Sequence, residues 1–367
     1  MTKIDVDNNV LASTSITNNN NNNNNIASNQ TQQHYINLDK QKPEDNNNST
    51  IINIMPKITA NSRIIVFDKS FDDQDFTKEF ELLPRMNPTA KFTTASLGEN
   101  ILKNRFRDIL PYEENRVKLT PTKDNKHGYI NASHVMMTFG SIKQHYIAAQ
   151  GPLPNTTLDF WQMVFEQHIN LIVMVTNFSE SGSQKCYIYL PLSSEPGKNT
   201  LRFGDYEITC TYTAETLTYI LSLLTLTHNG QRRQITHLRY TDWNDHSIPG
   251  DLQSFLTFLS EMDAIYRQNN RDGSGFGRKR HSSSSINKPP ILPPILVHCS
   301  AGAGRSGVMI LCDALLKCLD YQHSELIDVP KALIQLRFQR MISVQHCEQF
   351  RFVCQVLSQN LSNSRLI

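Results

Sequence analysis

Eleven consecutive residues around position 300 constrain the fold of this 367-residue chain most strongly. They are Val297, His298, Cys299, Ser300, Ala301, Gly302, Ala303, Gly304, Arg305, Ser306 and Gly307. The apolar residues 295–297 predict a buried strand, and the mostly apolar residues 308–316 predict a helix. The run therefore predicts a tight turn between a strand end and a helix start, with Cys299 inside the turn.

The small residues of this turn allow its backbone N–H groups to converge on one point. Such a nest at a helix N-terminus binds a tetrahedral oxyanion and favours the thiolate of a cysteine held there. We therefore predict that Cys299 is a nucleophile and that the backbone of residues 300–304 binds a phosphate, with Arg305 donating to two of its oxygens. The alternative is a buried cysteine in an ordinary strand–turn–helix, which the two glycines and Ser306 disfavour.

This run resembles the signature loop of the protein tyrosine phosphatases of the phosphotyrosine-specific, non-receptor class. Other segments match that family in the same order, from about Phe67 to Leu357. The resemblance implies an α/β fold in which a single domain contains one highly twisted, mixed β-sheet flanked by helices. Interleaved strand-like and helical segments without internal repeats favour the same architecture. We expect the catalytic domain over residues 67–360.

Residues 1–60 do not predict a folded unit. Asparagine fills residues 18–25 without a break, and few large apolar residues are present to offset the entropy of the chain. We expect a disordered, asparagine-rich region over residues 1–60, which suggests a fungal or protist-like member of the family. A stretch rich in glycine, serine, proline and basic residues predicts a flexible insertion over residues 267–291.

Apolar periodicity predicts the positions of the main helices and strands. The predicted helices cover residues 68–83, 159–165, 252–266, 329–336 and 345–359, besides the one that begins near residue 308. The predicted strands cover residues 129–132, 144–148, 171–175, 206–210, 217–227, 234–240 and 295–297, and residues 104–119 carry loop signals followed by strand-like residues.

Composition argues against several classes of protein. A net charge of +2 is close to neutral and does not indicate a nucleic-acid-binding protein, and no run reaches the roughly 18 apolar residues of a membrane span. Residues 1–10 lack the apolar stretch of a signal peptide. Seven cysteines without a Cys-x-x-Cys pair argue against a disulfide framework and structural zinc. We expect a cytoplasmic monomer, with nuclear access possible, that uses no cofactor or metal.

Residues 240–249 resemble the mobile acid loop of the family, Trp-Pro-Asp-His-Gly-Val-Pro. Asp245 aligns with the general acid and Trp243 with the hinge aromatic. Asn244 replaces the family's proline and Ser247 its glycine, so we expect an active enzyme whose loop motion is altered. Loss of a proline loosens an open loop by about 0.4–1 kcal/mol, which changes rates several-fold.

Residues 103–108 resemble the phosphotyrosine loop, in which Phe106 would pack on the substrate ring and Asp108 would bind the peptide main chain. A capped turn with a core phenylalanine is the alternative there. Glu180 aligns with the carboxylate that holds Arg305, and Lys185 with a residue near the acid loop and phosphate. Either could otherwise be a plain surface charge.

The resemblance assigns roles to four further side chains. Gln345 would position the hydrolytic water. Gln349, one helical turn later, would assist Gln345, and the alternative is that it is a solvated or capping residue without a role in the reaction. His298 would support the loop rather than transfer protons, and the alternative is an ordinary core histidine. The Ser306 hydroxyl would donate to the thiolate and ease its departure, or would have no chemical role.

Together these segments predict a phosphatase that acts on phosphotyrosine-containing proteins through a phosphocysteine. Three other functions compete with this prediction. A phosphotyrosine-binding module without activity is supported only by Asn244, and the intact Cys299, Arg305 and Asp245 argue against it. A dual-specificity or lipid phosphatase would have a shallower pocket and lack the long loop near residues 104–108. A sulfur-transfer domain does not fit the Cys-x5-Arg spacing together with an acid loop.

Overall fold

The computed structural model describes residues 73–243, 248–271, 292–321 and 328–364, all of them within the unit Pro56–Ile367. The helices in these ranges are α1 Asp73–Leu82, α2 Gly98–Ile101, α3 Thr157–Glu166, α4 Leu252–Arg271, α5 Gly304–Tyr321, α6 Val329–Arg337 and α7 Cys347–Ser364. The strands are β1 Arg116–Lys118, β2 Tyr129–Phe139, β3 Ile142–Ala149, β4 Leu171–Met174, β5 Ser179–Glu180, β6 Ser183–Gln184, β7 Thr200–Phe203, β8 Tyr206–Glu215, β9 Tyr219–His228, β10 Gln231–Tyr240 and β11 Ile295–His298.

Nine of the described strands form one mixed sheet in the order β1-β2-β3-β11-β4-β10-β9-β8-β7. The centre of the sheet is parallel: β11 pairs in parallel with β3 on one side and with β4 on the other, and β4 pairs in parallel with β10. His298, the last residue of β11, is level with Ala149 of β3 and Met174 of β4. The loops that leave these strands therefore meet at one edge of the sheet, where ligands bind in open α/β sheets.

Helices cover both faces of this sheet, which confirms the predicted mixed sheet flanked by helices. One apolar cluster packs helices α1, α4, α5, α6 and α7 against one face of the sheet. A second apolar cluster packs α3 against the opposite face. The central strand β11 contributes to both, since Ile295 and Val297 belong to the first cluster and Leu296 to the second. Because β11 is buried on both faces, the position at which the following turn begins is fixed relative to the sheet.

The predicted elements are present in the described ranges, and several are longer than expected. Strand β2 runs to Phe139, and α4 runs to Arg271, five residues beyond the predicted helix end. The prediction of a flexible insertion from residue 267 is therefore wrong for residues 267–271, which continue α4. Four short elements were not predicted, namely α2, β7 and the two-residue strands β5 and β6. The predicted disordered region 1–60 and residues 272–291 of the predicted insertion lie outside the described residues. Within the described ranges, none of the helices combines the length and apolar character needed to cross a bilayer.

A buried ion network fixes α5, the helix that follows the cysteine turn. Lys317 Nζ lies 2.8 Å from Asp313 Oδ2 and 3.2 Å from Asp263 Oδ1 on α4. The Tyr146 hydroxyl of β3 donates to Asp313 at 2.6 Å. Burial lowers the pKa of Lys317, but the two carboxylates outweigh burial and raise it above its ordinary value. The network therefore joins α5 to α4 and to the sheet.

We predict that Lys317→Ala destabilises the domain by about 3–5 kcal/mol, because the buried Asp313 then keeps its charge without a cation. Asp263, by contrast, keeps its pair with Arg267. Lys78→Ala is the control, since its partner Asp75 forms an exposed pair that contributes about 0–1 kcal/mol. Urea unfolding of both variants measures the difference. Equal losses of stability would show that the buried network does not anchor α5.

Candidate active site

Cys299 lies in the turn between β11 and α5, and only 3% of it is exposed. Its Sγ accepts a hydrogen bond from the backbone N–H of Gly302 at 3.2 Å. Gly302 has a φ of +70°, and a Cβ there would lie 2.2 Å from the carbonyl oxygen of Ala149. Glycine is therefore required for the turn to curl around the sulfur while packing against the end of β3. The turn is also bonded to the segment after β3, because the N–H of Gly151 donates to the carbonyl oxygen of Ser300 at 3.0 Å.

Arg305, in the first turn of α5, forms two parallel hydrogen bonds with Glu180, the residue that aligns with the family's carboxylate. Nη1 lies 2.8 Å from Oε1, and Nη2 lies 3.0 Å from Oε2. Oε1 also accepts from the Thr176 hydroxyl and from the N–H of Asn177, both at 2.9 Å. Burial raises the pKa of Glu180, but these donors, Arg305 first among them, hold it below its ordinary value. Glu180 is therefore ionised and fixes the direction of the guanidinium.

The segment that begins the predicted acid loop is attached to the same guanidinium. The carbonyl oxygen of Trp243 accepts from Arg305 Nη1 at 3.1 Å. The Trp243 indole is buried against Phe255 and Phe352, with ring centroids 5.7 and 6.4 Å away. The predicted general acid, Asp245, and its neighbours Asn244 to Ser247 lie outside the described residues.

His298 belongs to a buried chain of hydrogen bonds behind the turn. Its Nε2 lies 2.7 Å from the Tyr189 hydroxyl, which lies 2.7 Å from His237 Nε2. Because His298 Nδ1 faces the carbonyl oxygen of Cys299 at 3.4 Å, Nδ1 carries the proton and Nε2 accepts from Tyr189. Burial lowers the pKa of His298 to about 4. A neutral histidine thus connects Tyr189 to the carbonyl oxygen of Cys299, and its support of the loop stays a prediction.

The two glutamines lie against the start of α5. A Cβ added to Gly304 would lie 3.3 Å from Gln345 Oε1 and 3.4 Å from the side-chain amide atoms of Gln349. Gln349 Oε1 also accepts from the backbone N–H of Gln345 at 2.8 Å. Both side chains are therefore beside the predicted phosphate-binding backbone.

The predicted phosphotyrosine loop is joined to the same edge of the sheet. The N–H of Arg105 donates to Gln150 Oε1 at 2.9 Å, and its Nη2 donates to the carbonyl oxygens of Gly151 and Pro152 at 3.1 and 2.8 Å. Phe106 is 40% exposed, and Asp108 is exposed beside it. Phe106 is therefore exposed to solvent directly after a residue that is bonded to this edge of the sheet.

Two predicted residues take positions that the sequence did not specify. The Ser306 hydroxyl is buried and has no hydrogen-bond partner among the described residues, so its predicted bond to Cys299 is not formed in this structure. The Gly302 N–H contacts the sulfur instead. Lys185 donates its backbone N–H to Phe178 O, and its carbonyl oxygen lies against Gly151.

Sequence reasoning missed Arg340 and Tyr189. Arg340 is fully buried and donates to the carbonyl oxygens of Gly302 and Ala301 at 3.0 and 2.9 Å. In the sequence, Arg340 shows only that it opens the segment that leads to Gln345. An arginine whose partners are backbone carbonyls cannot be distinguished from a surface arginine by spacing alone.

The family profile described as protein-tyrosine phosphatase matches residues 100–359, most of the chain. The chain belongs to the protein-tyrosine phosphatase family. It is 42% identical over 314 residues to "Tyrosine-protein phosphatase non-receptor type 14" of Homo sapiens, an alignment that covers 85% of this chain and 25% of that protein. It is 41% identical over 318 residues to "Tyrosine-protein phosphatase non-receptor type 21" of Rattus norvegicus, covering 86% of this chain and 26% of that protein.

A shorter relative is "Tyrosine-protein phosphatase non-receptor type 20" of Mus musculus, which is 33% identical over 294 residues, 80% of this chain and 61% of that protein. The chain thus spans about a quarter of the length of the type 14 and type 21 relatives. The matched region contains all the described site residues of this phosphatase domain.

We predict that Gly302→Ala slows the alkylation of Cys299 by iodoacetamide at least tenfold at neutral pH, because the added Cβ pushes the turn away from Ala149. Gly230→Ala is the matched control, since Gly230 has a φ of +72° with nothing within 4 Å of an added Cβ. The control carries only the left-handed strain of about 1–2 kcal/mol. Alkylation is measured by mass spectrometry, and equal rates in the two variants would contradict the role of the contact.

We predict that stability falls with acidity between pH 6.5 and 5 partly because of His298. A histidine with a folded pKa of about 4 stays neutral in the folded state but binds a proton on unfolding. His298→Gln removes that proton uptake, so the wild-type chain should lose about 2 kcal/mol more than the variant across this range. Urea unfolding at both pH values measures it, and parallel losses would contradict a neutral His298.

Proposed function

We propose that this chain hydrolyses phosphotyrosine in proteins through a phosphocysteine intermediate on Cys299. The observation that carries the proposal is the Cys299 thiol facing a backbone N–H inside a turn closed by Arg305, whose guanidinium is fixed by Glu180. A nucleophile, amide donors and a planar cation around one point are what transfer of a phosphoryl group to sulfur requires.

In the first step the Cys299 sulfur attacks phosphorus opposite the tyrosyl oxygen. The S–P bond forms while the P–O bond breaks, and the phosphoryl oxygens gain charge as this happens. The N–H groups of residues 300–304 and the Arg305 guanidinium stabilise that charge, and they do so without reorganisation because Glu180 and the sheet edge already hold them.

The leaving tyrosyl oxygen takes its proton from Asp245 in this proposal. Trp243, buried among aromatic rings and bonded to Arg305 through its carbonyl oxygen, would anchor the loop that carries the acid. Closure of such a loop excludes water during the first step. Asn244 in the proline position changes how often the loop closes and leaves the acid itself in place.

In the second step water attacks phosphorus and the S–P bond breaks. Gln345 orients this water with help from Gln349, Asp245 accepts its proton, and inorganic phosphate leaves. Ser306 is the donor proposed to stabilise the departing thiolate, which requires its buried hydroxyl to turn toward Cys299.

The specificity for tyrosine rests in this proposal on the depth of the pocket. Phe106 at the rim would pack on the substrate ring, Asp108 would bind the peptide main chain, and Lys185 would approach the phosphate. We further infer that the partners are phosphotyrosine-containing proteins and not nucleic acids, and that the chain acts in signalling as a cytoplasmic monomer. The asparagine-rich region 1–60 leads us to infer a fungal or protist-like source.

The test compares hydrolysis of a phosphotyrosine peptide and a phosphothreonine peptide by the full chain without added metal. We expect hydrolysis of the first peptide only. Cys299→Ser should bind the phosphotyrosine peptide without hydrolysing it, and Asp245→Asn should lower kcat about 10²–10⁴-fold because the leaving group loses its acid.

Each outcome decides between the functions considered. Turnover by Cys299→Ser would refute the nucleophile, and hydrolysis of both peptides would indicate a dual-specificity enzyme. Tight binding of the phosphotyrosine peptide by the unaltered chain without hydrolysis would indicate a binding module. Asn244→Pro would then show whether the altered loop is the reason.

A further inference from the structure

Two buried guanidinium groups flank the cysteine turn, and their charges are balanced differently. Arg305 forms a two-fold ion pair with Glu180, so its charge is offset before any substrate binds. Arg340 has none of its side chain exposed and, in the part of the chain that the structure describes, donates only to two carbonyl oxygens and the Ser133 hydroxyl. A buried charge without a carboxylate partner is costly and calls for an explanation.

The two carbonyls that Arg340 contacts belong to the peptide planes that form the floor of the turn. Ala301 C=O and Gly302 N–H are opposite ends of one planar peptide unit. The carbonyl end accepts from Arg340 Nη2 at 2.9 Å, and the N–H end donates to Cys299 Sγ at 3.2 Å. Arg340 therefore holds, from behind, the peptide whose N–H contacts the sulfur.

The next peptide plane is held in the same way. Gly302 C=O accepts from Arg340 Nε at 3.0 Å, so the N–H of Ala303 in that plane points away from Arg340. A planar fork can hold two consecutive carbonyls at once, whereas an ammonium group cannot match that geometry. Both planes thus present their positive ends to the side where the anion would bind.

The surroundings keep Arg340 charged at neutral pH. Burial lowers its pKa to about 10, and interactions with Tyr129, Cys299 and Tyr112 act to raise it. Burial also raises the pKa values of both tyrosines, so they are neutral at pH 7 and do not offset the charge. Arg105 and the Cys186 thiol also interact with Cys299, and burial raises the pKa of Cys186.

We propose that Arg340 is a positioning residue that orients the peptide planes of residues 301–303 toward Cys299 and supplies an unbalanced positive charge that favours the thiolate. The inference deepens the proposed function and rests on Cys299 being its nucleophile. It differs from the role of Arg305, which contacts the phosphate in the proposed function and whose charge is already offset by Glu180.

The chain offers a matched control three residues away. Arg337 is 1% exposed and donates to the carbonyl oxygens of Ser343, Val344, Leu83 and Pro84, none of them in the cysteine turn. Replacement of either arginine removes a buried cation and its bonds to carbonyls. Only replacement of Arg340 should change the chemistry of Cys299.

The experiment measures alkylation of Cys299 by iodoacetamide as a function of pH, with thermal unfolding to record the folded fraction. A neutral reagent avoids attraction to the site, and peptide mass spectrometry separates Cys299 from the other cysteines. For Arg340→Met we expect the midpoint of the pH dependence to rise by about one unit, which is a tenfold loss of thiolate below the midpoint. Arg337→Met should keep the midpoint of the unaltered chain.

Arg340→Lys separates charge from geometry. It keeps the cation, so we expect a midpoint near that of the unaltered chain, but a kcat/KM on phosphotyrosine peptide lowered about tenfold or more because two carbonyls cannot both be held. If Arg340→Met does not fold, Arg340→Gln and Arg340→Lys provide the comparison. An unchanged midpoint in folded Arg340→Met or Arg340→Gln, or an equal rise in Arg337→Met, would overturn the inference.

Alkylation requires no turnover, so this test is independent of the proposed function. A raised midpoint in a chain that hydrolyses no phosphotyrosine would uphold the role of Arg340 and refute the activity. Hydrolysis with an unmoved midpoint in folded Arg340→Met would refute the role of Arg340 alone.

Discussion

The buried pair of Arg305 and Glu180 is the interaction on which the rest of the site depends. It joins the start of α5 to β5, the short strand that follows β4, and through the Trp243 carbonyl it also reaches the segment after β10. Each of these segments follows the carboxyl end of a central parallel strand. The ion pair therefore connects the segments that meet at this edge of the sheet. A buried ion pair contributes little net stability after desolvation. Its value here is that it fixes one orientation of a cation that must meet phosphate.

The architecture around this pair limits how far the turn can move. Strand β11 is buried on both faces, Gly302 packs on Ala149, and α5 is held at its other end by Lys317 and Asp313. The cysteine turn is thus held from the strand side, from beneath and through the helix. Precise placement of donors matters because electrostatic stabilisation acts only where the groups are already aligned.

The sequence predicted the parts whose chemistry is local. The conformation of residues 297–307 could be predicted from these residues themselves, since glycines permit the tight turn and the apolar run that follows predicts a helix. The resemblance supplied Glu180 as the partner of Arg305, and the structure brings the two together across the sheet edge. Arg340 and Tyr189 escaped prediction because their roles depend on which carbonyl or imidazole lies opposite, and only the fold decides that. The short edge strand β7 escaped because four residues with partial burial carry too little pattern.

The segment between Arg340 and Gln345 shows how the fold imposes a conformation that its residues disfavour. Ile342 and Val344 are β-branched, yet their φ values are +57° and +54°. Such residues rarely adopt this region, and each costs about 1–3 kcal/mol. The surroundings over-determine it, because Arg337 holds the carbonyls of Ser343 and Val344 while the N–H of Ile342 donates to Arg85 O. The strain is localised directly before Gln345, whose amide must reach the start of α5. The two buried arginines therefore stabilise different backbone segments. Arg337 binds the carbonyls that precede Gln345, and Arg340 binds the carbonyls of the cysteine turn.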